Sequence, residues 1–497
     1  MGPTKRAPER RTDAGGGFMY LGLDLGTGSA KVALYGEGGE RVREASVAYA
    51  VTAPHPGWAE SDPGEWWAAL GHVTREVVGE DGGRVRALGL SGQMHGVVLC
   101  GEDGTPLRPA VLWADGRAAS VLSIYRALPE DLRLTLRNPL TAGMTGPTLL
   151  WLREHGAEVY ARARWALQPK DWLRLRLTGE ARAEPSDASG TLLYDLEGDG
   201  WNTPVIEALG LRADLLAPLT RSRAVAGTLT PAAAAHLGLP PGLPVAAGAA
   251  DTAAALLGTA LPAGQVQLTV GTGAQLVVRS VALPEAREGL HVFRTAEDRG
   301  WYTLGAVQNA GLALEWARRT LRCGWEEFYA LAQAAEPGSR GLLFLPYLTG
   351  DRTPHLDPHA RGGWLGAGLE HGPEHLARAA FEGVALSIRE ALLLLPETER
   401  PGLRLAGGGS VHPWWRQLLA DILGRPLEVV EVPGASVYGA ALLARAAETG
   451  QTPEVEPPGT QETVEPRRDA DWSDVAGRFS AAYEALRGWF SRGGGGN

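Results

Sequence analysis

The sequence predicts an α/β protein built from two lobes of related topology. Two observations indicate this: strand and helix patterns alternate along most of the 497 residues, and one strand pattern occurs twice. The copies are "GLDLGTGSAKVAL" (22–34) and "VQLTVGTGAQLVV" (266–278), each with alternating apolar residues, Gly-Thr-Gly and a second extended run. We expect both copies to be β-hairpins whose glycine turns face a cleft shared by the two lobes.

The chain divides into four segments. Residues 1–17 are polar, Arg-rich and glycine-ended, which predicts a disordered tail. A stretch rich in proline and glycine, "LPPGLPVAAGAADTAAALLGTALPAGQV", marks the boundary between an N-terminal lobe over 18–260 and a C-terminal lobe over 261–449. Residues 450–497 begin as an acidic, proline-rich connector that we expect to be solvated, and they end in an amphipathic helix.

The composition excludes several classes of function. A net charge of −10 disfavours a nucleic-acid partner. Two cysteines, Cys100 and Cys323, are too few for a disulfide framework or a thiolate metal site, and they suit a reducing compartment. No apolar run approaches the roughly 18 residues that span a bilayer. We therefore expect a cytoplasmic protein without nucleic-acid or membrane partners.

The turn after the first strand is not a dinucleotide-binding fingerprint. That fingerprint opens a helix, whereas Val32 to Tyr35 resume an extended pattern. Glycine turns also bind triphosphates, because their backbone N–H groups approach phosphate with no side chain in the way. Asp24, just before the turn, is placed to hold Mg²⁺, and Lys31 is placed to neutralise phosphate charge. Singly, these features also occur in ordinary turns; together, they favour a nucleotide site.

Three further segments carry candidate site residues. Asp251 lies between a strand and an Ala-rich helix, so it is an N-cap, a general base at the mouth of the cleft, or both. "SGQMHG" places Gln93, Met94 and His95 in a turn, where the amide and the imidazole suit a polyol and Met94 an apolar wall; a structural histidine is the alternative. The glycines at 407–409 form either a nucleoside contact or an ordinary strand–helix turn.

Nine segments, in order from about residue 19 to 445, carry a family resemblance. They are "DLGTGSAKV", "PHPGWAESDPGEWW", "SGQMHGVVL", "PAVLWADGR", "PKDWLRLRLTGE", "SDASGTLLYD", "VGTG", "FLPYLTGDRTPHLDP" and "GGGSVHPWWRQLLAD". Together they resemble the FGGY carbohydrate kinases, and "SGQMHG" is most similar to the xylulokinases of that family.

The resemblance implies the two-lobed actin, hexokinase and heat-shock-ATPase fold (ribonuclease H-like), with ATP and Mg²⁺ in the cleft between the lobes. It implies phosphorylation of D-xylulose to D-xylulose 5-phosphate, with Asp251 as general base, Met94 and His95 on the sugar and Asp24 on the metal side. Dimers are common in this family, so a homodimer is a possible assembly. The nucleotide-binding positions that it implies are Thr27, Gly28, Ser29, Lys31, Gly271, Thr272, Gly273, Gly311, Gly408 and Gly409.

The chain departs from the family pattern at several positions. Thr252 and Ala114 stand where the xylulokinases usually have Asn, alanines at 249–250 where they have glycine, and Thr148 where they have Lys. Thr252 still donates a hydrogen bond, so we retain it with Gln93 among the expected sugar contacts.

Several alternatives to xylulose phosphorylation therefore stay open. Ribulose, fuculose or glycerol are alternative substrates, although glycerol kinases have Arg-Glu in place of Met94-His95. A non-catalytic sugar-binding regulator is a further alternative, against which the retained Asp24 and Asp251 argue. An actin-like filament former is the last, and the "SGQMHG" motif disfavours it.

Overall fold

In the computed structural model, residues 17–396, 398, 400–451, 455–469 and 471–493 are described. The disordered tail predicted over 1–17 falls outside the described residues except for Gly17, whose carbonyl accepts hydrogen bonds from the Arg84 guanidinium. Parts of the predicted connector and chain end, at 452–454, 470 and 494–497, also lie outside them. Within the described ranges, no helix has both the length and the apolar character needed to cross a membrane.

The N-terminal half is organised around one mixed sheet. The strands of this half, including those of three small two-stranded sheets, are β1 (Met19–Leu25), β2 (Ser29–Gly36), β3 (Arg41–Ala48), β4 (Glu60–Ser61), β5 (Val85–Gly92), β6 (Val98–Cys100), β7 (Ala110–Val111), β8 (Trp165–Leu167), β9 (Tyr194–Asp195), β10 (Gly200–Trp201), β11 (Val225–Thr228), β12 (Pro244–Ala246) and β13 (Ala249–Ala250). The main sheet has the order β11-β12-β5-β1-β2-β3, with β13 also beside β5.

Ten α-helices surround this sheet in the described part of the N-terminal half. They are α1 (Pro63–Val78), α2 (Leu122–Arg126), α3 (Glu130–Thr135), α4 (Thr145–His155), α5 (Ala157–Arg162), α6 (Pro169–Thr178), α7 (Pro185–Ala188), α8 (Thr203–Ala208), α9 (Pro231–Leu237) and α10 (Asp251–Gly258). Helix α1 is capped by Asp62, which accepts a hydrogen bond from the Gly64 N–H, and it buries an apolar stripe that includes Trp66, Leu70 and Val77.

The C-terminal half has a second sheet, of order β16-β17-β15-β14-β20-β21-β22. Its strands and those of a small hairpin are β14 (Val266–Val270), β15 (Ala274–Ser280), β16 (His291–Arg294), β17 (Trp301–Val307), β18 (Leu343–Leu345), β19 (Gly363–Leu365), β20 (Leu403–Ala406), β21 (Leu427–Val430) and β22 (Thr460–Val464). The helices are α11 (Gly311–Thr320), α12 (Trp325–Ala334), α13 (Pro373–Leu394), α14 (Pro413–Leu423), α15 (Ala435–Thr449) and α16 (Ser473–Gly493).

The two sheets repeat one topological unit, as the sequence repeat predicts. In the first sheet, the antiparallel strands β3, β2 and β1 are followed by β5 and β12, which run parallel to β1. In the second sheet, β17, β15 and β14 are antiparallel in the same way, and they are followed by the parallel strands β20 and β21. Both predicted hairpins, β1–β2 and β14–β15, are therefore confirmed.

Helix α15 follows the second sheet in sequence but packs against the first. A Cβ on Gly22 of β1 would collide with the carbonyl oxygen of Val437, and one on Gly89 of β5 would collide with that of Ala440. Glycine inside these strands therefore allows the helix to approach the sheet at backbone distance. Helix α15 lies in sequence within the predicted C-terminal lobe, 261–449, and its contacts include those with the N-terminal sheet and with α10.

The predicted solvated connector contains a strand. Strand β22 pairs antiparallel with β21 at the edge of the second sheet, with Val464 opposite Leu427. Val464 is the one buried residue of β22, so its sequence shows little of the apolar alternation that indicates a strand. The predicted terminal helix is present as α16, and Phe479 and Tyr483 bury their rings in the C-terminal core.

Candidate active site

Two acidic residues, Asp24 and Asp251, lie near the C-terminal end of β5. Asp24 of β1 and Ala249 of β13 are both paired with Ser91 of β5, one on each side. Because neighbouring strands lie about 4.8 Å apart, the backbones of β1 and β13 are roughly 10 Å apart at this point. Asp251 begins α10 directly after β13, so the fold places both carboxylates at one edge of the N-terminal sheet.

Asp251 has the environment of a general base. Its Oδ1 accepts hydrogen bonds from the backbone N–H of Thr252 at 2.5 Å and from the Thr252 hydroxyl at 3.2 Å. Burial, with a further contribution from the charge of Asp24, raises the pKa of Asp251 to about 6. It is the first helical residue of α10, after Ala250, and its carboxylate does not cap the helix. The Thr252 hydroxyl, an expected sugar contact, is directed at Asp251.

A buried polar network fixes the strand before Asp251. The N–H of Ala250 donates to the Ser186 hydroxyl at 3.0 Å, and that hydroxyl in turn lies 2.8 Å from Glu184 Oε2. Lys170 Nζ lies 3.4 Å from Glu184 and 2.5 Å from Asp171. Buried charges are tolerated only when they are paired in this way, so the network holds the backbone beside Asp251 in one position. The motifs "PKDWLRLRLTGE" and "SDASGTLLYD" contain Lys170, Asp171 and Ser186, but sequence reasoning gave these residues no role, and Glu184 lies between the two motifs.

Asp24 has one carboxylate oxygen engaged and one without a partner. The Ser436 hydroxyl, on α15, donates to Asp24 Oδ2 at 2.7 Å, while Oδ1 is buried without a hydrogen-bond partner. Burial raises the pKa of Asp24, and the hydrogen bond from Ser436 opposes that shift. Lys31 lies directly opposite Asp24 on β2.

These residues fit a magnesium ion held mainly by other ligands. Within the described ranges, no group of three or more His, Cys, Asp or Glu side chains is arranged to hold a metal. Mg²⁺ characteristically keeps several waters and binds through one or two carboxylates together with substrate phosphates. The unpartnered Oδ1 of Asp24 is suited to that kind of site, and to no all-protein cage.

A backbone hydrogen bond closes the first glycine turn, and hydrogen bonds from two aromatic side chains stabilise it. The Gly26 N–H donates to the Ser29 carbonyl at 2.9 Å, and the Tyr49 hydroxyl donates to the Gly26 carbonyl. The indole N–H of Trp113 donates to Thr27 Oγ1 at 2.9 Å. Because that bond uses an acceptor position of Thr27, the hydroxyl hydrogen remains available to a phosphate oxygen. Space next to Gly28 is open, so its backbone is accessible.

Gln93 is buried next to this turn. Its side chain is 1% exposed, and its amide nitrogen is 3.4 Å from the Gly26 carbonyl oxygen. Its backbone N–H donates to the Leu25 carbonyl at 2.8 Å. The structure therefore places the Gln93 amide nitrogen beside the first turn, and the contact of Gln93 with the sugar stays a prediction.

The second glycine turn, the start of α11 and the turn after β20 come together. Gly311 N–H donates to the Gly271 carbonyl at 3.0 Å, and a Cβ on Gly311 would collide with that oxygen. The Thr272 carbonyl accepts from the N–H of residue 312 at 2.9 Å, and the turn itself closes from Gly271 to Gly273 at 2.8 Å. Gly407 and Gly409 lie against Val270, the last residue of β14, whereas the space next to Gly408 is open. The predicted nucleotide positions of the C-terminal half thus form one surface.

His95 is held as a neutral hydrogen-bond acceptor. Its backbone has the left-handed φ of 72°, which is uncommon outside glycine and occurs often at functional sites. Burial lowers the pKa of His95 to about 4, so the ring is neutral at pH 7. Nδ1–H donates to the Gly190 carbonyl at 2.7 Å, which leaves Nε2 as an acceptor. The neighbouring Met94 is buried, with its sulfur 3.7 Å from the Tyr302 hydroxyl.

Comparison with known proteins identifies the family. The N-terminal domain of the FGGY family of carbohydrate kinases matches residues 19–258, and the C-terminal domain matches residues 266–448. The chain is 36% identical to the xylulose kinase of Escherichia coli K12 over 88% of this chain and 91% of that protein. It is 30% identical to the gluconokinase of Bacillus subtilis 168 over 85% of this chain and 86% of that protein.

Solved structures give the same result for the fold. The xyloylose kinase from Brucella ovis superposes with a TM-score of 0.87 at 34% identity, covering 95% of this chain and all of that one. This likeness confirms the two-lobed fold that the sequence motifs implied. With both halves matched by the family's two domains, the chain belongs to the FGGY family of carbohydrate kinases.

Proposed function

We propose that this protein transfers the γ-phosphoryl group of ATP to the 5-hydroxyl of D-xylulose. In this reaction a bond forms between sugar O5 and the γ-phosphorus, and the bond from that phosphorus to the oxygen of ADP breaks. The hydroxyl proton passes to Asp251. The observation that carries the proposal is the Asp251 carboxylate, with a pKa of about 6, between the Asp24 side of the cleft and the sugar motif. Similarity to proteins named xylulose kinase supports the choice of sugar.

The remaining residues act mainly by alignment, which is what a loose phosphoryl-transfer transition state requires. The turns at 26–29 and 271–273 present backbone N–H groups to the phosphates. Asp24 would hold Mg²⁺, which supplies charge neutralisation on the phosphates when it is bound. On the sugar side, His95 Nε2 accepts from a hydroxyl and Met94 provides an apolar wall.

The environment and assembly of the enzyme are also proposals. Cys100 and Cys323 are both free and buried, which suits the reducing cytoplasm where ATP is available. A homodimer is the assembly that we expect from the family resemblance. Size-exclusion chromatography with light scattering distinguishes a dimer of about twice 52.5 kDa from a monomer.

Release of ADP over a panel of acceptors tests the proposed reaction. The panel contains D-xylulose, D-ribulose, L-fuculose, glycerol and D-gluconate, with gluconate included because of the similarity to a gluconokinase. We expect the highest kcat/KM with D-xylulose, and a higher value with another acceptor would show that the sugar assignment is wrong.

The variant Asp251→Asn tests the base. The amide keeps the shape of the carboxylate but accepts no proton, so kcat should fall by about 10²–10⁴-fold. Binding of ATP, measured by calorimetry, should be retained. A variant with near-normal kcat would contradict the role of Asp251.

A further inference from the structure

Arg352 brings a guanidinium group to the side of the cleft that contains His95. It lies in the segment between β18 and β19, and its Nη2 is 3.3 Å from Nε2 of His291. The His291 ring stacks on Phe293 with a centroid distance of 5.6 Å, and Phe293 lies 5.7 Å from the His95 ring. The positive charge of Arg352 contributes to the lowered pKa of both histidines. Arg352, His291, Phe293 and His95 therefore form one continuous wall.

The backbone, and not an ion pair, fixes the position of Arg352. Thr353 N–H donates to the Ala306 carbonyl at 3.1 Å, and Ala306 N–H donates back to Thr353 Oγ1 at 2.9 Å. On the other side, Asp351 N–H donates to the Asp357 carbonyl at 2.8 Å. These bonds tie both neighbours of Arg352 to β17 and to the loop itself. Among the described residues no carboxylate is within ion-pair distance of the Arg352 guanidinium, although the charge of the adjacent Asp351 acts on it.

Arg352, which is half-buried, differs in this respect from three buried arginines. Arg117 pairs with Asp115 and Glu60, Arg174 pairs with Asp171, and Arg378 pairs with Glu382. For Arg352, the hydrogen bond among the described residues is the one with His291. A guanidinium stays protonated and has five N–H donors, so the bond with His291 leaves further donors for a ligand. Arg352 is half-buried, so these donors are accessible to the acceptors of a ligand.

Residues 186–190 set the order of the groups along the cleft. The Ser186 hydroxyl accepts from the N–H of Ala250, the residue before Asp251, and the Gly190 carbonyl accepts from His95 Nδ1. Asp24 is on the side of the phosphate turns, whereas Arg352 adjoins His95 through His291 and Phe293. A sugar with its reacting hydroxyl at Asp251 therefore has its far end near His95 and Arg352. At that end D-xylulose carries a hydroxyl on C1 beside a carbonyl on C2, a donor next to an acceptor.

We propose that Arg352 is a sugar-binding residue that donates to the C2 carbonyl oxygen of the ketose, while His95 Nε2 accepts from the neighbouring hydroxyl. This proposal rests on the proposed function, because it uses the position of the sugar relative to Asp251. The acceptor and donor together select an α-hydroxyketone over a polyol, in which the carbonyl is replaced by a hydroxyl.

Kinetics of Arg352→Met and of a control, Arg361→Met, test the proposal. Arg361 is in the same loop, but it is exposed and donates only to the carbonyls of Pro358 and Ala360. A hydrogen bond from a charged donor is worth about 1.5–3 kcal/mol, so KM for D-xylulose should rise about 10–100-fold in Arg352→Met. The KM for ATP and the melting temperature should stay near wild type, and Arg361→Met should change neither KM.

A polyol inhibitor separates recognition of the carbonyl from general loss of binding. Xylitol has the same carbon chain as D-xylulose without the carbonyl. We expect wild type to bind D-xylulose more tightly than xylitol, and we expect that preference to fall by about tenfold in Arg352→Met. If Arg352→Met does not fold, Arg352→Lys, which keeps the charge but loses the planar fork, should show a smaller loss in the same direction.

Three results would overturn the proposal: an unchanged KM for D-xylulose in folded Arg352→Met, an increase in the KM for ATP instead, or an unchanged preference over xylitol. An increase in the KM for ATP would assign Arg352 to phosphate. Failure of the proposed function is a separate result, since wild type would then not phosphorylate D-xylulose. In that case, the same variants measured with the acceptor chosen by the panel decide whether Arg352 binds sugar, and an unchanged KM for that acceptor overturns the proposal.

Discussion

The Ser436 hydroxyl donates a 2.7 Å hydrogen bond to Asp24 Oδ2, and so links helix α15 to the first strand of the chain. More than 400 residues separate the two side chains in sequence. The bond leaves Asp24 Oδ1 free and favours the ionised carboxylate, because a donor stabilises the charged form. Helix α15, which packs against the N-terminal sheet, therefore also favours the ionised form of the Asp24 carboxylate, which we assign to the metal.

Replacement of Ser436 by Ala should disfavour the ionised form of Asp24 and so weaken Mg²⁺ binding. Loss of the hydrogen bond raises the pKa of Asp24 further, so we expect the Mg²⁺ concentration for half-maximal activity to rise about 3–10-fold. Titration of activity with Mg²⁺ at fixed ATP measures this. Thr449→Ala is the control, because Thr449 is on the same helix and its hydroxyl, which donates to the Arg445 carbonyl and accepts from the Gln451 N–H, is exposed and bonds at the end of the helix. Equal effects of the two substitutions would contradict a specific role for Ser436.

The packing of α15 shows where sequence reasoning reached its limit. The hairpins were predictable because alternation and glycine turns are local signals. The location of α15 was not, because a helix after the last strand of one sheet carries no mark of which sheet it covers. The available signal was Gly22 and Gly89, since glycine inside a strand often indicates close backbone approach.

The site was predictable to the same extent. Asp24 and Asp251 stand out because each is an acidic residue next to a strand end, and His95 stands out because it lies in a glycine-flanked turn between two extended segments. Lys170 and its acidic partners did not stand out, because charged residues in a helix ordinarily face solvent and only the three-dimensional fold encloses these. Gln93 was assigned to the sugar because its amide lies in a glycine-flanked turn with His95, and this assignment stays a prediction; the structure adds that the amide nitrogen is 3.4 Å from the Gly26 carbonyl oxygen.

The contact between Trp113 and Thr27 predicts that an indole affects nucleotide binding. Trp113 is 39% exposed, and its N–H donates to Thr27 Oγ1 at 2.9 Å. Trp113→Phe removes the donor but keeps a ring, so the Thr27 hydroxyl loses its fixed orientation. A neutral hydrogen bond is worth about 0.5–1.5 kcal/mol, so the KM for ATP should rise about 3–10-fold. Trp325→Phe, an exposed tryptophan on α12, should leave it unchanged. Similar values for both variants would contradict the role of Trp113.

The pKa of Asp251 predicts an acid limb in the pH profile. The base must be ionised, so kcat/KM should fall about tenfold per unit below pH 6 and level off above it. Asp24→Asn removes a negative charge that raises the pKa of Asp251, so the limb of the residual activity should move to lower pH. Initial rates between pH 4.5 and 8, with circular dichroism at each pH to confirm folding, measure both. A limb that stays in place in Asp24→Asn would contradict coupling of the two carboxylates.

The raised pKa of Asp251 also predicts that its ionised carboxylate lowers the stability of the folded protein. The pKa of Asp251 is about 6 when folded and near 3.8 otherwise, so the folded state binds the proton more tightly. Stability should therefore decrease as the pH rises from about 4 to 6, and the cost is complete above pH 6. A shift of this size corresponds to at most about 3 kcal/mol. Asp251→Asn, which carries no charge, should avoid this cost.

Thermal unfolding at two pH values measures this effect. At pH 7.5 we expect Asp251→Asn to melt at a higher temperature than wild type, and at pH 4.5 we expect the difference to shrink, because the wild-type carboxyl is then protonated in the fold. Asp62→Asn is the control, since Asp62 is exposed and Asn is an equally good N-cap for α1. Lower stability of Asp251→Asn at pH 7.5 would mean that the bonds from Thr252 outweigh the cost of burying the charge.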